Sequence, residues 1–306
     1  MATIWKKAAP QDVPKPGDAA ALPVGKVLAL NLTEEPEQRY FIYLPTRGTH
    51  QARMMVTVHG ISRHARKHAR RFAGLAERYN VVLVAPLFDK HRHPGFQRLG
   101  LSGQRADLAL EKIIEEVGRL TGANTHQLYM FGYSGGGQFV HRFAMAYPER
   151  VASIAIGAAG WYTFPDPDRR FPYGIQPHRK LPGIRFRQEQ FLRIPATVLV
   201  GEKDDKIDHA LRTSRRIDER QGASRFERGQ RWVDAMQRAA QQHGFDTPYR
   251  FVALPGADHS FSRSVKWGAL DRHVFNALFG VEPETDCKSD MIKGGVFKLQ
   301  TCRTSW

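Results

Sequence analysis

The chain has 306 residues, of which 42% are apolar and 25% charged, and 46 Lys and Arg against 30 Asp and Glu give a net charge of +16. These shares are those of an ordinary globular protein, and no run of 18 apolar residues exists to form a transmembrane helix. The cations are scattered along the chain with local clusters and no basic tail, which reads as a solvated surface attractive to anions and argues against a nucleic-acid-binding function.

In chain order, residues 1–24 form a flexible Pro-rich lead-in that contains Lys6 and Lys7 but no apolar stretch of an export signal, so a cytoplasmic location is expected. From residue 25 to 280, short apolar runs alternate with amphipathic ones, the pattern of an α/β domain. The strand-like runs are Val27–Leu32, Tyr40–Leu44, Met54–Val58, Val81–Ala85, Gln127–Phe131, Val151–Ile156, Ala196–Val200 and Tyr249–Leu254. The later runs are continuously apolar and β-branched, as expected for a mostly parallel eight-stranded sheet covered by helices on both faces. Helices are predicted from a Ser62 cap to about Tyr79, over Ala106–Leu120 and over Gly135–Tyr147. Another begins at the capping-box pair Ser224 and Glu227 and stops at Gly244. Residues 161–192, rich in Pro, aromatic and basic side chains, lack periodicity and read as a small cap-like insertion over the sheet edge. Residues 281–306 read as a tail that holds both cysteines, Cys287 and Cys302. They are taken as free thiols, with a disulfide as the alternative in an oxidising compartment.

The strongest chemical signal is Gly132-Tyr133-Ser134-Gly135-Gly136, between an apolar strand and an amphipathic helix. A serine at such a strand-to-helix turn has its hydroxyl pushed out toward substrate, and the small neighbours let the backbone pack closely around it. A hydroxyl needs a base to become a nucleophile. His259, in Gly256-Ala257-Asp258-His259 directly after the last strand, stands where a loop side chain can reach over the strand ends. The base in turn needs a carboxylate to fix its tautomer. Asp204, in the loop after Ala196–Val200, is the choice, with Asp205 as an open alternative and Asp208 less favoured. The N–H of Gly135 is one expected oxyanion donor. The N–H of Ile61, after His59-Gly60, is the other, with Ser62 as alternative; His59 itself reads as a packing and hydrogen-bonding residue. Tyr133, Trp161, Tyr162 and Tyr173 are candidate lining of the substrate pocket, in company with Phe164 and Phe171. The Ser62–Phe72 stretch contains Arg63, Arg66, Lys67, Arg70 and Arg71 with His64 and His68, and reads as an exposed basic helix face. His91-Arg92-His93 lacks further ligands nearby, so no metal site is expected. With neither a phosphate-cradling loop nor a dinucleotide fingerprint, no cofactor is expected.

From Tyr40 to His259 these motifs resemble the α/β-hydrolase superfamily of esterases and lipases. The Gly132–Val151 segment and the His59-Gly60 loop are most similar to the branch of polyhydroxyalkanoate depolymerases and feruloyl or acetyl esterases. The resemblance implies an α/β-hydrolase fold and a serine carboxylesterase acting on a small or oligomeric ester through an acyl-enzyme. Secreted depolymerases of that branch carry an export signal and a polymer-binding module, and neither pattern is seen here. Two other readings remain: an acyl-coenzyme A thioesterase or acyltransferase with the same three residues, and a non-catalytic basic binding protein on a hydrolase fold.

Overall fold

The computed structural model describes residues 22–205 and 211–281. The lead-in up to residue 21, the tail with both cysteines, and Asp208 lie outside the described residues. Eight strands form one sheet: β1 (Val27–Asn31), β2 (Arg39–Tyr43), β3 (Arg53–Val58), β4 (Val81–Pro86), β5 (Asn124–Tyr133), β6 (Val151–Gly157), β7 (Ala196–Gly201) and β8 (Tyr249–Leu254). Their order is β1-β2-β4-β3-β5-β6-β7-β8. β2 runs antiparallel to both its neighbours, and every pairing from β4 to β8 is parallel. Parallel neighbours need crossovers, and those crossovers place helices on both faces.

One face is covered by α2 (Ala106–Thr121), α3 (Gly135–Ala146) and α6 (Arg225–Gln242). Leu110, Ile113, Ile114 and Val117 of α2 join Phe139 and Phe143 of α3 and Trp232 and Met236 of α6 in that layer. The other face carries α1 (Ala65–Arg78), α7 (Phe261–Gly268) and α8 (Leu270–Phe279), through Ala69, Phe72, Ala76, Val265, Val274 and Phe275. The pleat divides the strands between the layers. Met54, Val56 and Val58 face the first and Met55 the second, as period-two alternation requires.

Three expectations are corrected. Ser62 does not cap the first helix: the chain turns at Arg63, whose φ is +57°, and α1 starts at Ala65 with His64 before it and no side-chain cap. His68 does not belong to the exposed basic face. It is buried, stacked on Phe261 at 4.1 Å between ring centres with Nδ1 3.1 Å from Thr57 Oγ1. The segment after β6 does not lie over the sheet edge, because β6 and β7 are interior strands. It packs onto α3 and α6 instead: Thr163 N–H donates to His141 Nε2 at 3.0 Å, and Trp232 Nε1–H to the Thr163 carbonyl at 2.8 Å. α4 (Gln188–Phe191) closes that segment, and α5 (Arg215–Gln221) precedes the Ser224 cap of α6, which accepts from Glu227 N as expected. Among the described residues no helix is long and apolar enough to cross a membrane.

Two buried imidazoles act as backbone clamps. His59 Nδ1 lies 2.8 Å from the Gly60 carbonyl, and its Nε2 accepts from Phe88 N–H at 3.0 Å. His141 repeats the device between Gly137 and Thr163. Each ring therefore must be neutral, with its proton on Nδ1. Burial pushes the His59 pKa down from 6.5 to about 4. The native state then binds fewer protons than the unfolded chain between those values. Stability is full above pH 6.5 and falls by about 3 kcal/mol as the pH drops through 4. Urea titrations across that range should show the slope of stability against pH reduced by about one proton in His59→Gln; an unchanged slope would contradict the assignment.

Candidate active site

The parallel register brings the carboxyl ends of the central strands together: Val58 pairs with Gly132, Tyr133 with Gly157, and Gly201 with Leu254. The loops leaving those ends converge above the sheet, where open α/β sheets keep their ligands.

Ser134 joins β5 to α3 in a conformation rare for a side-chain-bearing residue, φ +54° and ψ −113°. Such a conformation costs about 1–3 kcal/mol and persists only when its surroundings over-determine it. They do so here. Ser134 N–H donates to the Gly157 carbonyl at 2.7 Å, and its own carbonyl accepts from Gln138 N–H at 3.1 Å. A Cβ on Gly132 would fall 2.1 Å from the Gly136 carbonyl oxygen, and one on Gly136 would fall 2.0 Å from that of Val58. The helix start therefore rests directly on the strands, which only glycine at both positions allows.

Above the turn, Ser134 Oγ lies 3.1 Å from His259 Nε2, and His259 Nδ1 lies 2.7 Å from Asp204 Oδ2. The loops carrying His259 and Asp204 are laced together. Lys203 N–H donates to the Ala257 carbonyl at 2.9 Å, and Glu202 N–H to that of Leu254 at 3.1 Å. Asp204 is 2% exposed, whereas Asp205 is exposed, so of the two neighbours left open by the sequence it is Asp204 that faces the imidazole. Asp258, beside the histidine in sequence, is engaged by Arg263 and by Ser260 N–H.

The carboxylate has a second partner that sequence reasoning missed. Arg225, 1% exposed at the first position of α6, places Nη1 3.1 Å from Asp204 Oδ1. Nothing in the local pattern announces this pair, which joins positions 21 residues apart. Removing one member of a buried ion pair typically costs about 3–5 kcal/mol, because the other is left without compensation. Arg225→Met is therefore expected to lose stability of that order in urea unfolding. Adding Asp204→Asn to it should cost less than the two single losses summed; full additivity would deny the coupling.

The loop after β3 flanks the serine. A Cβ on Gly60 would lie 3.4 Å from Ser134 Cβ, and one on Gly135 would lie 3.2 Å from Ile61 Cγ2. Ile61 and the first turn of α3, whose leading N–H groups have no partner within the helix, thus meet beside Ser134. The side chain of Ile61 is 51% exposed at the rim.

The four aromatic candidates separate. Tyr133 is buried beneath His259, 5.8 Å between ring centres, with its hydroxyl 3.1 Å from Ser264 Oγ. It supports the imidazole rather than lining a pocket. Tyr162 is fully buried against Trp232 and has no surface to offer a ligand. Trp161 and Tyr173 do meet, 5.2 Å apart, and the guanidinium groups of Arg142 and Arg212 lie 4.2 and 5.3 Å from the Trp161 ring. Phe164 and Tyr173 also line a cavity of about 350 Å³ toward α5 and α6, which none of Ser134, His259 and Asp204 reaches. His91 is exposed whereas His93 is buried against Phe88, so the two do not converge.

No protein-family model matches the chain, and no curated protein matches it. Solved structures do. The poly(3-hydroxybutyrate) depolymerase LpqC from Bordetella parapertussis is similar with a TM-score of 0.67 at 23% identity, over 87% of this chain and 94% of that one. Poly(aspartic acid) hydrolase-1 from Sphingomonas sp. KT-1 gives 0.65 at 23% identity, over 76% and 92%. The fluorophosphonate-binding serine hydrolase FphF of Staphylococcus aureus gives 0.56 at 14%, over 84% and 99%. At such identities the likeness is one of architecture, and it includes a depolymerase of the kind that the motifs around Ser134 resemble.

Proposed function

We propose, from a chain that has the α/β-hydrolase fold and an assembled serine–imidazole–carboxylate relay, that the protein is a serine carboxylic-ester hydrolase working through an acyl-enzyme. The observation that carries this reading is the continuous contact from Ser134 Oγ through His259 to Asp204, 3.1 and 2.7 Å long.

In this reading His259 Nε2 takes the Ser134 proton as Oγ attacks the ester carbonyl carbon. The carbonyl π-bond opens, and its oxygen takes up the negative charge. The N–H groups of Gly135 and Ile61 stabilise that oxyanion. Asp204 holds the Nδ1 proton and stabilises the imidazolium, and Arg225 holds the other carboxylate oxygen. The C–O bond to the alcohol then breaks, and His259 Nε2–H protonates the departing oxygen. Water repeats the sequence on the acyl-enzyme: His259 removes its proton, hydroxide adds to the acyl carbon, and Ser134 leaves with the proton returned.

A fluorophosphonate probe should label the folded protein once, at Ser134 by peptide mass, and p-nitrophenyl esters should turn over. A folded protein that takes no label and turns over no ester would bring forward the non-catalytic binding reading. A groove of about 480 Å³ between α1 and α7, lined by Lys67, Arg70, Arg71 and Lys266, favours an acyl-coenzyme A thioester as the second reading. A higher kcat/KM for acetyl-coenzyme A than for p-nitrophenyl acetate would select it.

A further inference from the structure

Three arginines of the described chain have all but none of their guanidinium exposed: Arg142, Arg225 and Arg228. Arg225 has Asp204, and Arg228 has Asp218 at 2.6 Å. Arg142, at 0% exposure, has no carboxylate partner among the described residues. Its Nε donates to Thr163 Oγ1 at 3.0 Å. Its Nη1 donates to the Gln97 carbonyl at 2.6 Å and to Gln138 Oε1 at 3.2 Å. Nη2 is buried without a partner, and the planar group lies over the Trp161 ring. A buried cation left without a counter-charge costs several kcal/mol, and folds normally supply an acid for it.

Here the neighbours raise that cost. Arg98 and Arg212 both repel Arg142, and Tyr173 alone acts on it in the opposite sense among the described residues. Arg98 donates to Ser102 Oγ at 3.3 Å, and Arg212 lies over the rings of Trp161 and Tyr173 at 5.3 and 6.0 Å. None of the three forms an ion pair with an acidic side chain of the described residues. Arg212 is exposed and Arg98 half-buried, so two of the charges are open to solvent, with the third behind Trp161.

The cluster borders the nucleophile. Arg142 is eight residues from Ser134 along α3, about 12 Å at 1.5 Å per residue, and helix side chains lean back toward the N-terminus. Gln97, whose carbonyl it holds, comes within 3.2 Å of where a Gly135 side chain would begin. The side of the sheet also matters. His259 sits over Tyr133, which in turn meets Phe261, in the layer of α1, α7 and α8. Phe96, Phe139 and Tyr162, neighbours in the chain of Arg98, Arg142 and Trp161, belong to the opposite layer. A leaving group that takes its proton from His259 departs toward the layer of α1, α7 and α8, and the acyl half points to the layer of α2, α3 and α6.

We propose that Arg98 and Arg212, backed by Arg142 behind Trp161, form an anion subsite for a carboxylate on the acyl half of the substrate, so that the preferred esters are half-esters of short dicarboxylic acids or oligomers of such units. The inference rests on the ester-hydrolase reading of the same site.

The test compares mono-p-nitrophenyl glutarate with methyl p-nitrophenyl glutarate, which has the same acyl chain and leaving group but no charge. The wild type should favour the anionic ester by about tenfold or more in kcat/KM, a usual yield for a charge-assisted hydrogen bond. In Arg98→Gln/Arg212→Gln that ratio should fall about tenfold, whereas Arg215→Gln, an exposed charge paired with Glu219, should leave it alone. A ratio near one in the wild type, or an equal fall with Arg215→Gln, overturns the subsite. Calorimetry with free glutarate gives a readout independent of turnover. Binding by the wild type that is lost in the double variant supports the subsite even if no ester is cleaved, in which case the hydrolase reading alone fails. Absence of glutarate binding together with neutral-ester turnover leaves the hydrolase and removes the subsite.

Discussion

Ser134→Ala is expected to lower kcat for a p-nitrophenyl ester by on the order of 10⁶-fold, the scale seen when a serine hydrolase loses its nucleophile. The hydroxyl gives the fold one hydrogen bond, to a half-buried imidazole. Everything that holds the turn is backbone: the bond to Gly157, the bond from Gln138, and the close contacts of Gly132 and Gly136. Alanine meets the same conformational cost at φ +54°, so the melting temperature should stay near that of the wild type while fluorophosphonate labelling disappears. A variant that keeps more than about a hundredth of the activity would mean that another nucleophile is at work, because background catalysis by the remaining groups lies far lower.

Asp204→Asn should cost about 10⁴-fold in kcat, the scale of the same change in a serine protease relay, while Asp205→Asn stays within about twofold. The contrast follows from geometry. An asparagine side chain can present its amide N–H to His259 Nδ1, which puts the imidazole proton on Nε2, where it cannot accept from serine. Its loss of charge also removes the ion pair that Asp204 makes with the buried Arg225, so a melting-temperature drop should accompany the loss of rate. Asp205 is exposed, whereas Asp204 is buried against the imidazole. Comparable losses from both variants would reverse the assignment of the acid.

How far the sequence carries can be traced residue by residue. The sheet was legible because its strands are continuously apolar and β-branched, and Val81–Pro86 is buried along its whole length. The three relay positions were legible because each follows a readable strand, and parallel strands all end on the same side. Helix starts were less legible. Ser62 has the right chemistry for a cap, but the positive φ at Arg63 moves the helix on to Ala65, and that turn leaves no mark in composition. α5, α7 and α8 were not read: α5 and α7 are short helices packed on the neighbouring α6 and β8, and the apolar face of α8 covers β6, far away in sequence.

The aromatic residues show a different limit. Phe131 and Tyr133 share one face of β5 by simple alternation, so the burial of Tyr133 toward α7 was available from the pattern. Trp161 and Tyr162 are adjacent in an aperiodic loop, and nothing local says that one meets the arginines and the other the α3–α6 layer. Arg142 did carry a signal. It is a lone cation in the buried run Phe139-Val140-His141-Arg142-Phe143, where a charge needs a reason. Arg225 carried none, since its partner lies on another strand's loop.

The lacing of the β7 and β8 loops has a consequence for how the protein fails under heat. β8 is the last strand of the sheet, paired on one side alone, whereas β5, which carries Ser134, is enclosed by β3 and β6. Edge elements open locally at lower free energy than the interior. Because the acid and base loops are tied to each other by backbone hydrogen bonds, fraying at that margin carries His259 and Asp204 away together. Ser134 stays in its strained turn but loses its contact with the imidazole. For the proposed hydrolase, thermal inactivation is then expected to begin as a reversible uncoupling of His259 and Asp204 from an intact Ser134 turn, below the temperature at which the sheet melts, and cooling should restore the contact without refolding the domain.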